Sequence, residues 1–264
     1  MFDDLADDYD QSDVSYFARF GADLVRRAGV AVGDRVLDVG SGRGAVLLPA
    51  ADAVGSNGHV TGIDLSERMV QVLREELLER RVDNADVRVG DAEVPPVDDG
   101  AFDAVLASLV LFFVPDPARA IVATHRALRS EGVLAFTTFG PLSDRWQAVY
   151  DVVMPLAPRA GRPRPGHGSP LWDDPAAIAQ LVASCGFTDI QVDEETFDIR
   201  FESPQHWFDW SWTVGTRALW MSMDEPTRQL AKAAALDVVG SFADEDGSIV
   251  LPEVLRFTIG RRSN

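Results

Sequence analysis

The sequence predicts an α/β protein built on a doubly wound, mostly parallel β-sheet, and three observations support this fold class. Short apolar runs alternate with helical patterns over roughly residues 1–140, and such alternation requires crossover connections that place helices on both faces of a sheet. A glycine-rich turn follows the first apolar run and an aspartate follows the second, at the strand ends where these sheets bind ligands. The 264 residues, 46% of them hydrophobic, are enough to bury a substantial core.

The first half of the chain divides into strands and helices in regular order. The predicted strands are 35–39, 59–63, 86–89, 101–107 and 132–138. The predicted helices are 17–28, 44–54, 66–81 and 117–128. Ser66 suits the N-cap of the third helix, and Pro117 suits the first turn of the fourth.

After Gly140 the composition of the chain changes. All six tryptophans lie between residues 146 and 220, and a loop rich in proline and glycine spans residues 155–170. Helical patterns predict helices over 173–185, 203–223 and 225–242, while two apolar segments predict strands within 188–201 and over 254–261.

The segment DVGSGRG, residues 38–44, is the strongest functional signal in the chain. Glycines at alternate positions after an apolar run suit a sharp turn from strand to helix whose backbone approaches a ligand closely. Asp64 follows twenty residues after the last of these glycines, where a carboxylate can accept both hydroxyls of a ribose. Gly40, Gly42 and Ala45 also match the relaxed dinucleotide fingerprint. The segment alone therefore leaves open whether the ligand is a dinucleotide or another nucleoside.

Further segments of the chain distinguish between these two kinds of ligand. DVGSGRG resembles the first motif of class I S-adenosylmethionine-dependent methyltransferases, and residues 89–92, 102–108 and 126–134 resemble later motifs of that family in the same order. The last of them carries a single glycine where the family pattern has two. The opening FDDLADDYD, residues 2–10, is similar to that of small-molecule methyltransferases of the quinone-biosynthesis type.

The resemblance implies a Rossmann-like sheet of seven strands whose last strand is antiparallel, with S-adenosyl-L-methionine as the cofactor. Roughly fifty residues separate the last two predicted strands, so the segment at about 203–246 is predicted to be a helical cap inserted between strands six and seven. Three parts follow: lid helices over 1–30, a cofactor-binding core over 31–140, and a substrate-binding half over 141–264.

The resemblance also implies roles for single residues. The glycine turn would cradle the methionine moiety, Asp38 would assist its ammonium group, Asp64 would bind the ribose and Asp91 the adenine. Tyr9 and Tyr16 either close over the cofactor or only pack the first helix onto the domain. The expected cofactor-binding residues are Tyr9, Tyr16, Asp38, Gly40, Ser41, Gly42, Gly44, Asp64, Leu65, Met69, Asp91, Ala92 and Ser108.

Aromatic residues in two places predict a hydrophobic acceptor. Phe112 and Phe113 follow the fourth strand, where the methyl group would be presented and where many relatives carry a histidine. The rings of Trp207 and Trp210, together with the pair Phe208 and Trp212, lie on more than one face of a predicted cap helix, which must therefore be covered on several sides. Their rings either pack the core or line a pocket for a planar acceptor such as a quinone, a polyketide or another specialised metabolite.

Histidines are the candidate bases. In-line methyl transfer needs positioning and exclusion of water, and it requires no metal. If the acceptor is a hydroxyl or an activated carbon, a base assists, and histidine has a suitable pKa. His167 and His206 lie in the substrate-binding half and are the candidates, whereas the positions of His59 and His125 are typical of structural residues.

The composition limits the classes of partner. A net charge of −18 argues against nucleic acid, because phosphate binding needs clustered cations. The chain has no apolar run long enough to span a membrane and no signal-peptide pattern, so we expect a cytoplasmic protein. Cys185 is the single cysteine, which excludes an internal disulfide and a multi-cysteine metal site.

Two alternatives to a methyltransferase remain at this stage. The first is an NAD-dependent oxidoreductase, against which Lys232, the single lysine, lies in an alanine-rich helix without a polar cluster. The second is a protein that binds S-adenosylmethionine without methyl transfer, such as a cyclase or a regulatory module. The acceptor atom and the oligomeric state are left open.

Overall fold

A seven-stranded sheet forms the centre of the molecule. The computed structural model describes residues 3, 6–7, 9–10, 12–14, 16–158 and 170–263. Within them the strands are β1 (Arg35–Val39), β2 (His59–Asp64), β3 (Ala85–Val89), β4 (Phe102–Ser108), β5 (Leu128–Phe139), β6 (Phe187–Phe201) and β7 (Ile249–Arg262). Their order is β3-β2-β1-β4-β5-β7-β6. Strands β1 to β5 pair in parallel, and β7 pairs antiparallel with both β5 and β6, which confirms the predicted fold class.

Helices connect the strands and cover both faces of the sheet. They are α1 (Phe17–Arg27), α2 (Leu47–Val54), α3 (Glu67–Arg80), α4 (Pro117–Ala127), α5 (Asp144–Val153), α6 (Pro170–Asp173), α7 (Pro175–Ser184), α8 (Pro204–Ser211), α9 (Arg217–Met221) and α10 (Glu225–Gly240). Helices α8 to α10 lie between β6 and β7 in the chain, as the predicted cap requires. The first-half elements agree with the sequence prediction to within a few residues, and neither α5 nor α6 was predicted.

The predicted Ser66 cap and the predicted position of Pro117 are both present, and Asp116 adds a cap that was not predicted. The Ser66 hydroxyl accepts a hydrogen bond from the Met69 amide at 3.1 Å and begins α3. Asp116 accepts from the Arg119 amide at 3.0 Å, and Pro117 then occupies the first turn of α4. These caps explain why both helices begin where the local sequence predicts.

The predicted helix over 203–223 is wrong as a single element, because α8 ends at Ser211 and α9 begins at Arg217. The Thr213 hydroxyl donates to the Trp210 carbonyl at 2.9 Å, and the Thr216 hydroxyl donates to the Ser211 carbonyl at 2.5 Å. Threonine side chains that bond nearby carbonyls offer the backbone an alternative to continued helix. The break lets rings from both short helices pack against one another.

Alternate residues of the strands belong to two hydrophobic cores. Val36 in β1 lies in the core shared with α1 and α2, whereas Leu37 lies in the core shared with α4 and α7. This alternation is the period-two geometry of a strand with both faces covered. The sheet is therefore buried on both sides, and its strand ends are left to form a site.

Helix α1 packs closely against the start of the first crossover. Gly21 on α1 lies so near the backbone of Ala45 that a Cβ at position 21 would stand 1.9 Å from the Ala45 carbonyl oxygen. Ala45 directly follows the glycine-rich turn, so this contact fixes α1 relative to that turn. The helix thereby brings its own first residues to the carboxyl ends of the strands.

Candidate active site

A cleft of about 470 Å³ lies at the carboxyl ends of β1, β2 and β4. Ligands in open α/β sheets bind at this edge, at the point where the strand order reverses, which here lies between β1 and β4. Most of the predicted cofactor residues line the cleft together with one predicted acceptor residue: Tyr9, Asp38, Gly40, Ser41, Gly42, Asp64, Leu65, Met69, Asp91, Ala92, Ser108 and Phe113. Residues separated widely in sequence are therefore brought to one place.

The glycine-rich turn has the backbone conformation that its sequence predicts. Gly40, Gly42 and Gly44 have φ angles of 70°, 49° and 84°, in the left-handed region that favours glycine. A Cβ on Gly40 would also stand 2.3 Å from a methyl carbon of Val110. Gly44 does not line the cleft: its close neighbour is Leu73 on α3, so it packs the turn against that helix.

Asp64 connects the end of β2 to the glycine-rich turn. One carboxyl oxygen accepts from the Gly42 amide at 2.8 Å, and the other accepts from the Ser66 amide at 2.9 Å. Each carboxylate oxygen can accept more than one hydrogen bond, so both keep capacity for the two hydroxyls of a ribose. Burial is the main cause that raises the pKa of Asp64, and these two amides oppose it.

Asp38 is buried at the end of β1 with 1% of its surface exposed. Within the described residues, neither of its carboxyl oxygens makes a hydrogen bond of good geometry. Burial, and after it the nearby Asp64 carboxylate, raise the pKa of Asp38 to about 8, against a smaller opposite effect of the Leu47 amide. A buried, unpaired carboxyl is costly, and an ammonium group in the cleft would supply both the missing charge and the missing donors.

The cleft is acidic as a whole. Five carboxyl groups line it, from Asp3, Asp10, Asp38, Asp64 and Asp91, together with the guanidinium of Arg43. That guanidinium donates to the Ala6 carbonyl at 3.0 Å and lies 3.5 Å from Glu76, so its charge is already engaged. Such a cleft attracts a cationic ligand and repels the pyrophosphate of a dinucleotide.

The N-terminal segment covers part of the cleft. Asp3 accepts a hydrogen bond from the Ser66 hydroxyl at 2.5 Å, and Arg43 holds the Ala6 carbonyl. The ring of Tyr9 stacks on Phe17 with 5.4 Å between the centroids, and both rings line the cleft. Tyr9 therefore lies where a residue that closes over the cofactor would be expected.

Tyr16 lies elsewhere. Its ring is buried behind the cleft wall, where its hydroxyl donates to Glu253 at 2.9 Å. It does not line the cleft, so the structure does not support the predicted direct contact with the cofactor. The alternative of packing α1 onto the domain describes its position better.

The predicted acceptor residues divide between two places. Phe113 lines the cleft and is 48% exposed, whereas Phe112 lies outside the lining and packs against Phe113 at 4.6 Å between centroids. Trp207 and Trp210 are buried in the cap, around a separate cavity of about 20 Å³. The predicted acceptor residues therefore do not share one pocket in this conformation.

Of the two candidate bases, only His206 lies within the part of the chain that the structure describes. His167 lies outside the described residues. His206 accepts from the Glu202 amide at 3.1 Å through Nδ1, and its Nε2 lies 2.8 Å from an Asp13 carboxyl oxygen. Both ring nitrogens are engaged away from the cleft lining, so we do not carry a base role over to His206.

Sequence reasoning assigned no role to several residues that line the cleft, among them the ionisable Asp10 and Arg43. Asp10 lines the cleft, and burial as the main cause raises its pKa to about 7, while the Arg43 guanidinium opposes the shift. Arg43 also lines the cleft, and it lies between Gly42 and Gly44 in the glycine-rich motif. Asp10 and Arg43 lie within segments that resemble motifs of the family. Neither motif, however, assigns a role to the charged residue at that position.

No helix among the described residues is long and apolar enough to cross a membrane. The described part of the chain also contains no group of three or more histidine, cysteine, aspartate or glutamate side chains that could hold a metal ion.

Comparison with known proteins identifies the family. Residues 37–136 match a family model described as a methyltransferase domain. Over 249 residues the chain is 35% identical to nocamycin O-methyltransferase from Saccharothrix syringae, which covers 89% of this chain and 88% of that protein. Over 137 residues it is 40% identical to aklanonic acid methyltransferase DauC from Streptomyces sp. (strain C5), covering 52% of this chain and 62% of that protein.

Solved structures agree on the fold. The YcgJ protein from Bacillus subtilis superimposes with a TM-score of 0.63 at 16% sequence identity, over 93% of this chain and 99% of that chain. The acidic cleft disfavours the dinucleotide alternative, and the nocamycin O-methyltransferase match extends over nearly the whole chain. The chain therefore belongs to the class I S-adenosylmethionine-dependent methyltransferases, and S-adenosylmethionine is its cofactor.

Proposed function

We propose that this methyltransferase acts on a hydroxyl oxygen of a planar, hydrophobic small molecule, such as a polyketide, a quinone or another specialised metabolite. The near full-length relative is named nocamycin O-methyltransferase. A shorter match of 31% identity over 59% of the chain is to demethylmenaquinone methyltransferase of Listeria monocytogenes. The observation that carries the proposal is the pairing, in one cleft, of acidic residues suited to a cationic donor with the exposed ring of Phe113.

The residues of the cleft fit the cofactor. The unpaired Asp38 carboxyl suits the ammonium group, Asp64 suits the ribose hydroxyls, and Asp91 with the backbone of Ala92 suits the adenine. The bound cofactor supplies an activated methyl group on a sulfonium. The protein then has to hold the acceptor in line with that group and keep water away.

The apolar segment after β4 supports a hydrophobic acceptor. Leu109, Val110, Phe113 and Val114 line the cleft beside Ser108. Apolar walls of this kind recognise an acceptor through shape and burial, with few polar contacts. A nucleic acid acceptor does not suit a chain of net charge −18, and a cytoplasmic location stays a prediction from the sequence.

Methyl transfer can be measured directly with labelled S-adenosylmethionine. We expect label to enter planar acceptors that carry phenolic or enolic hydroxyls, and mass spectrometry to find each product heavier by one methylene unit. Matched acceptors whose hydroxyls are already methylated are the control and should take up no label. Transfer to an amine or a carbon in place of oxygen would contradict the proposed acceptor atom.

Substitution of Asp64 tests the ribose assignment. We expect Asp64→Ala to weaken S-adenosylhomocysteine binding by about tenfold to a hundredfold, since one or two charge-assisted hydrogen bonds are lost. Calorimetric titration measures the change. Asp103→Ala is a matched control, because Asp103 lies at the opposite end of β4 and accepts from the Arg35 amide at 2.7 Å. Equal affinity of Asp64→Ala and the parent would show that Asp64 does not hold the ribose.

A further inference from the structure

One carboxyl group of the cleft comes from the segment that covers it. Asp38 and Asp64 stand at the ends of β1 and β2, whereas Asp10 lines the same cleft from the N-terminal segment. The Oδ1 atom of Asp10 is buried and accepts no hydrogen bond from any group that the structure describes. A buried carboxyl oxygen without a donor or a cation costs stability. Asp10 therefore has an unfilled need that a positively charged ligand would meet.

The position of Asp10 is fixed by contacts of its backbone. Its amide donates to the carbonyl of Thr213, between α8 and α9, at 2.9 Å. Its φ angle is 55°, in the left-handed region that aspartate tolerates better than most residues other than glycine. Earlier in the same segment, the Ala6 carbonyl accepts from the Arg43 guanidinium at 3.0 Å. The segment is thus held both to the cap and to the glycine-rich turn, and it presents the Asp10 carboxyl to the cleft between them.

The charges around Asp10 leave its carboxyl poised to ionise. Burial is the main cause that raises the pKa of Asp10 to about 7; Arg43 of the glycine-rich turn opposes the rise, and Glu76 of α3 adds to it. Arg43 lies 3.5 Å from Glu76 and also holds the Ala6 carbonyl, so it does not neutralise Asp10 fully. A cation in the cleft would keep Asp10 in its ionised form.

The cofactor carries two positive charges, and the strand ends supply a partner for one of them. Asp38 suits the ammonium group and Asp64 suits the ribose, while the sulfonium lies between these two parts of the cofactor. Tyr9, which lines the cleft next to Asp10, is affected by the charges of both Asp10 and Asp64. The Asp10 carboxyl and the ribose site are therefore close to one ring of the cleft. The sulfonium is the cationic group to which no strand-end residue has been assigned.

We propose that the Asp10 carboxylate recognises the sulfonium charge of S-adenosylmethionine and sets the preference of the site for this cofactor over S-adenosylhomocysteine. When the methyl group is transferred, the electron pair of the S–C bond stays on sulfur, and the cofactor becomes a neutral thioether. Asp10 then loses its cationic partner inside a buried site, so the product is held less tightly and is released. This inference goes beyond the proposed acceptor and does not depend on it.

Binding of three ligands, measured without an acceptor, tests the role of Asp10. They are S-adenosylmethionine, S-adenosylhomocysteine and sinefungin, an analogue that carries a protonated amine in place of the sulfonium. Asparagine keeps the shape of aspartate and also tolerates a positive φ, so Asp10→Asn is a conservative variant. At about pH 8 we expect the ratio of S-adenosylmethionine affinity to S-adenosylhomocysteine affinity to fall about tenfold in Asp10→Asn, because one attraction between charges is lost. Sinefungin should follow S-adenosylmethionine. Calorimetric titration measures all three affinities.

Asp7→Asn is the matched control for the change of charge. Asp7 lies in the same segment, is exposed, accepts from Arg68 Nε at 3.0 Å and does not line the cleft. This variant should keep the parent's affinity ratio.

The pH dependence of the ratio is a second test, and it uses the parent protein. Because Asp10 ionises near pH 7, the parent's preference for S-adenosylmethionine should increase as the pH rises from about 6 to about 8. Asp38, whose pKa is about 8, titrates in the same range, but its partner ammonium is present in both ligands. The increase should therefore be smaller in Asp10→Asn than in the parent.

Each contrary outcome has its own meaning. An affinity ratio that is unchanged in Asp10→Asn overturns the proposed recognition of the sulfonium. Equal weakening of all three ligands overturns it as well, since Asp10 would then act on a group that they share. Sinefungin that behaves like S-adenosylhomocysteine would show that charge is not what Asp10 recognises. A parent that binds none of the three ligands would contradict the cofactor assignment itself, whereas a failure to methylate planar hydroxyls would leave these binding results intact.

Discussion

Asp38→Asn will bind S-adenosylhomocysteine at least about a hundredfold more weakly than the parent, while its ligand-free form will be more resistant to heat. The parent carboxyl is 1% exposed and unpaired, so it stabilises a bound ammonium at the expense of the empty protein. An amide removes the buried charge and cannot neutralise the ammonium. Calorimetric titration measures the affinity, and thermal unfolding measures the stability.

The effect on stability depends on pH with a definite sign. The folded pKa of Asp38, about 8, lies above its ordinary value. The contribution of Asp38 to the stability of the folded protein is therefore fully present below its unfolded pKa, and it is lost as the pH rises through about 8. Asp10 and Glu253 shift in the same direction, each to about 7. We expect the ligand-free parent to lose stability progressively as the pH rises from about 4 to about 8, and Asp38→Asn to lose less.

A matched control separates this effect from a general change of charge. Asp52 is exposed on α2, and Asp52→Asn alters the net charge equally. It should leave both the affinity and the pH dependence as in the parent. Unchanged cofactor affinity in Asp38→Asn would show that Asp38 does not bind the ammonium group of the cofactor.

Gly21→Ala will lower the free energy of unfolding by about 3 kcal/mol, at the upper end for the addition of one methyl group to a packed position. The new Cβ would stand 1.9 Å from the Ala45 carbonyl oxygen, and neither the helix nor the turn can yield without moving the other. Because Ala45 and Phe17 line the cleft, we also expect weaker binding of S-adenosylhomocysteine. Urea denaturation measures the stability.

Gly215→Ala provides the control for the helical glycine. A Cβ on Gly215 would have no atom within 4 Å, and its φ is not in the left-handed region. The substitution should be neutral or slightly stabilising, since alanine reduces the freedom of the unfolded chain. Equal stability of Gly21→Ala and Gly215→Ala would show that α1 is not held at the turn as described.

The strand ends were predictable because their signals are local. The apolar run ends at Val39, and the three glycines that follow at alternate positions do not favour continued strand. Ser66 and Pro117 indicate where two of the later helices begin. In a parallel sheet these ends meet at one edge whatever the details of packing. The clustering of Asp38, Asp64 and Asp91 therefore followed from order along the chain alone.

Other features depend on packing that no local pattern records. Tyr16 and Tyr9 are equally plausible from the opening motif, and only the path of α1 decides that Tyr9 reaches the cleft. The break between α8 and α9 depends on hydrogen bonds that two threonine side chains donate to nearby backbone carbonyls. Threonines also occur within continuous helices, so their presence in the sequence did not predict the break. Glu253 carried a signal in the alternation of β7, but a strand predicted to begin at residue 254 excluded it.

A structure determined with bound S-adenosylhomocysteine tests the central claim most directly. The account predicts the ammonium within hydrogen-bond distance of Asp38, the ribose on Asp64, and the sulfur facing the side of the cleft that Phe113 lines. A nucleoside bound elsewhere, or a dinucleotide in this cleft with its pyrophosphate against the glycine-rich turn, would contradict it.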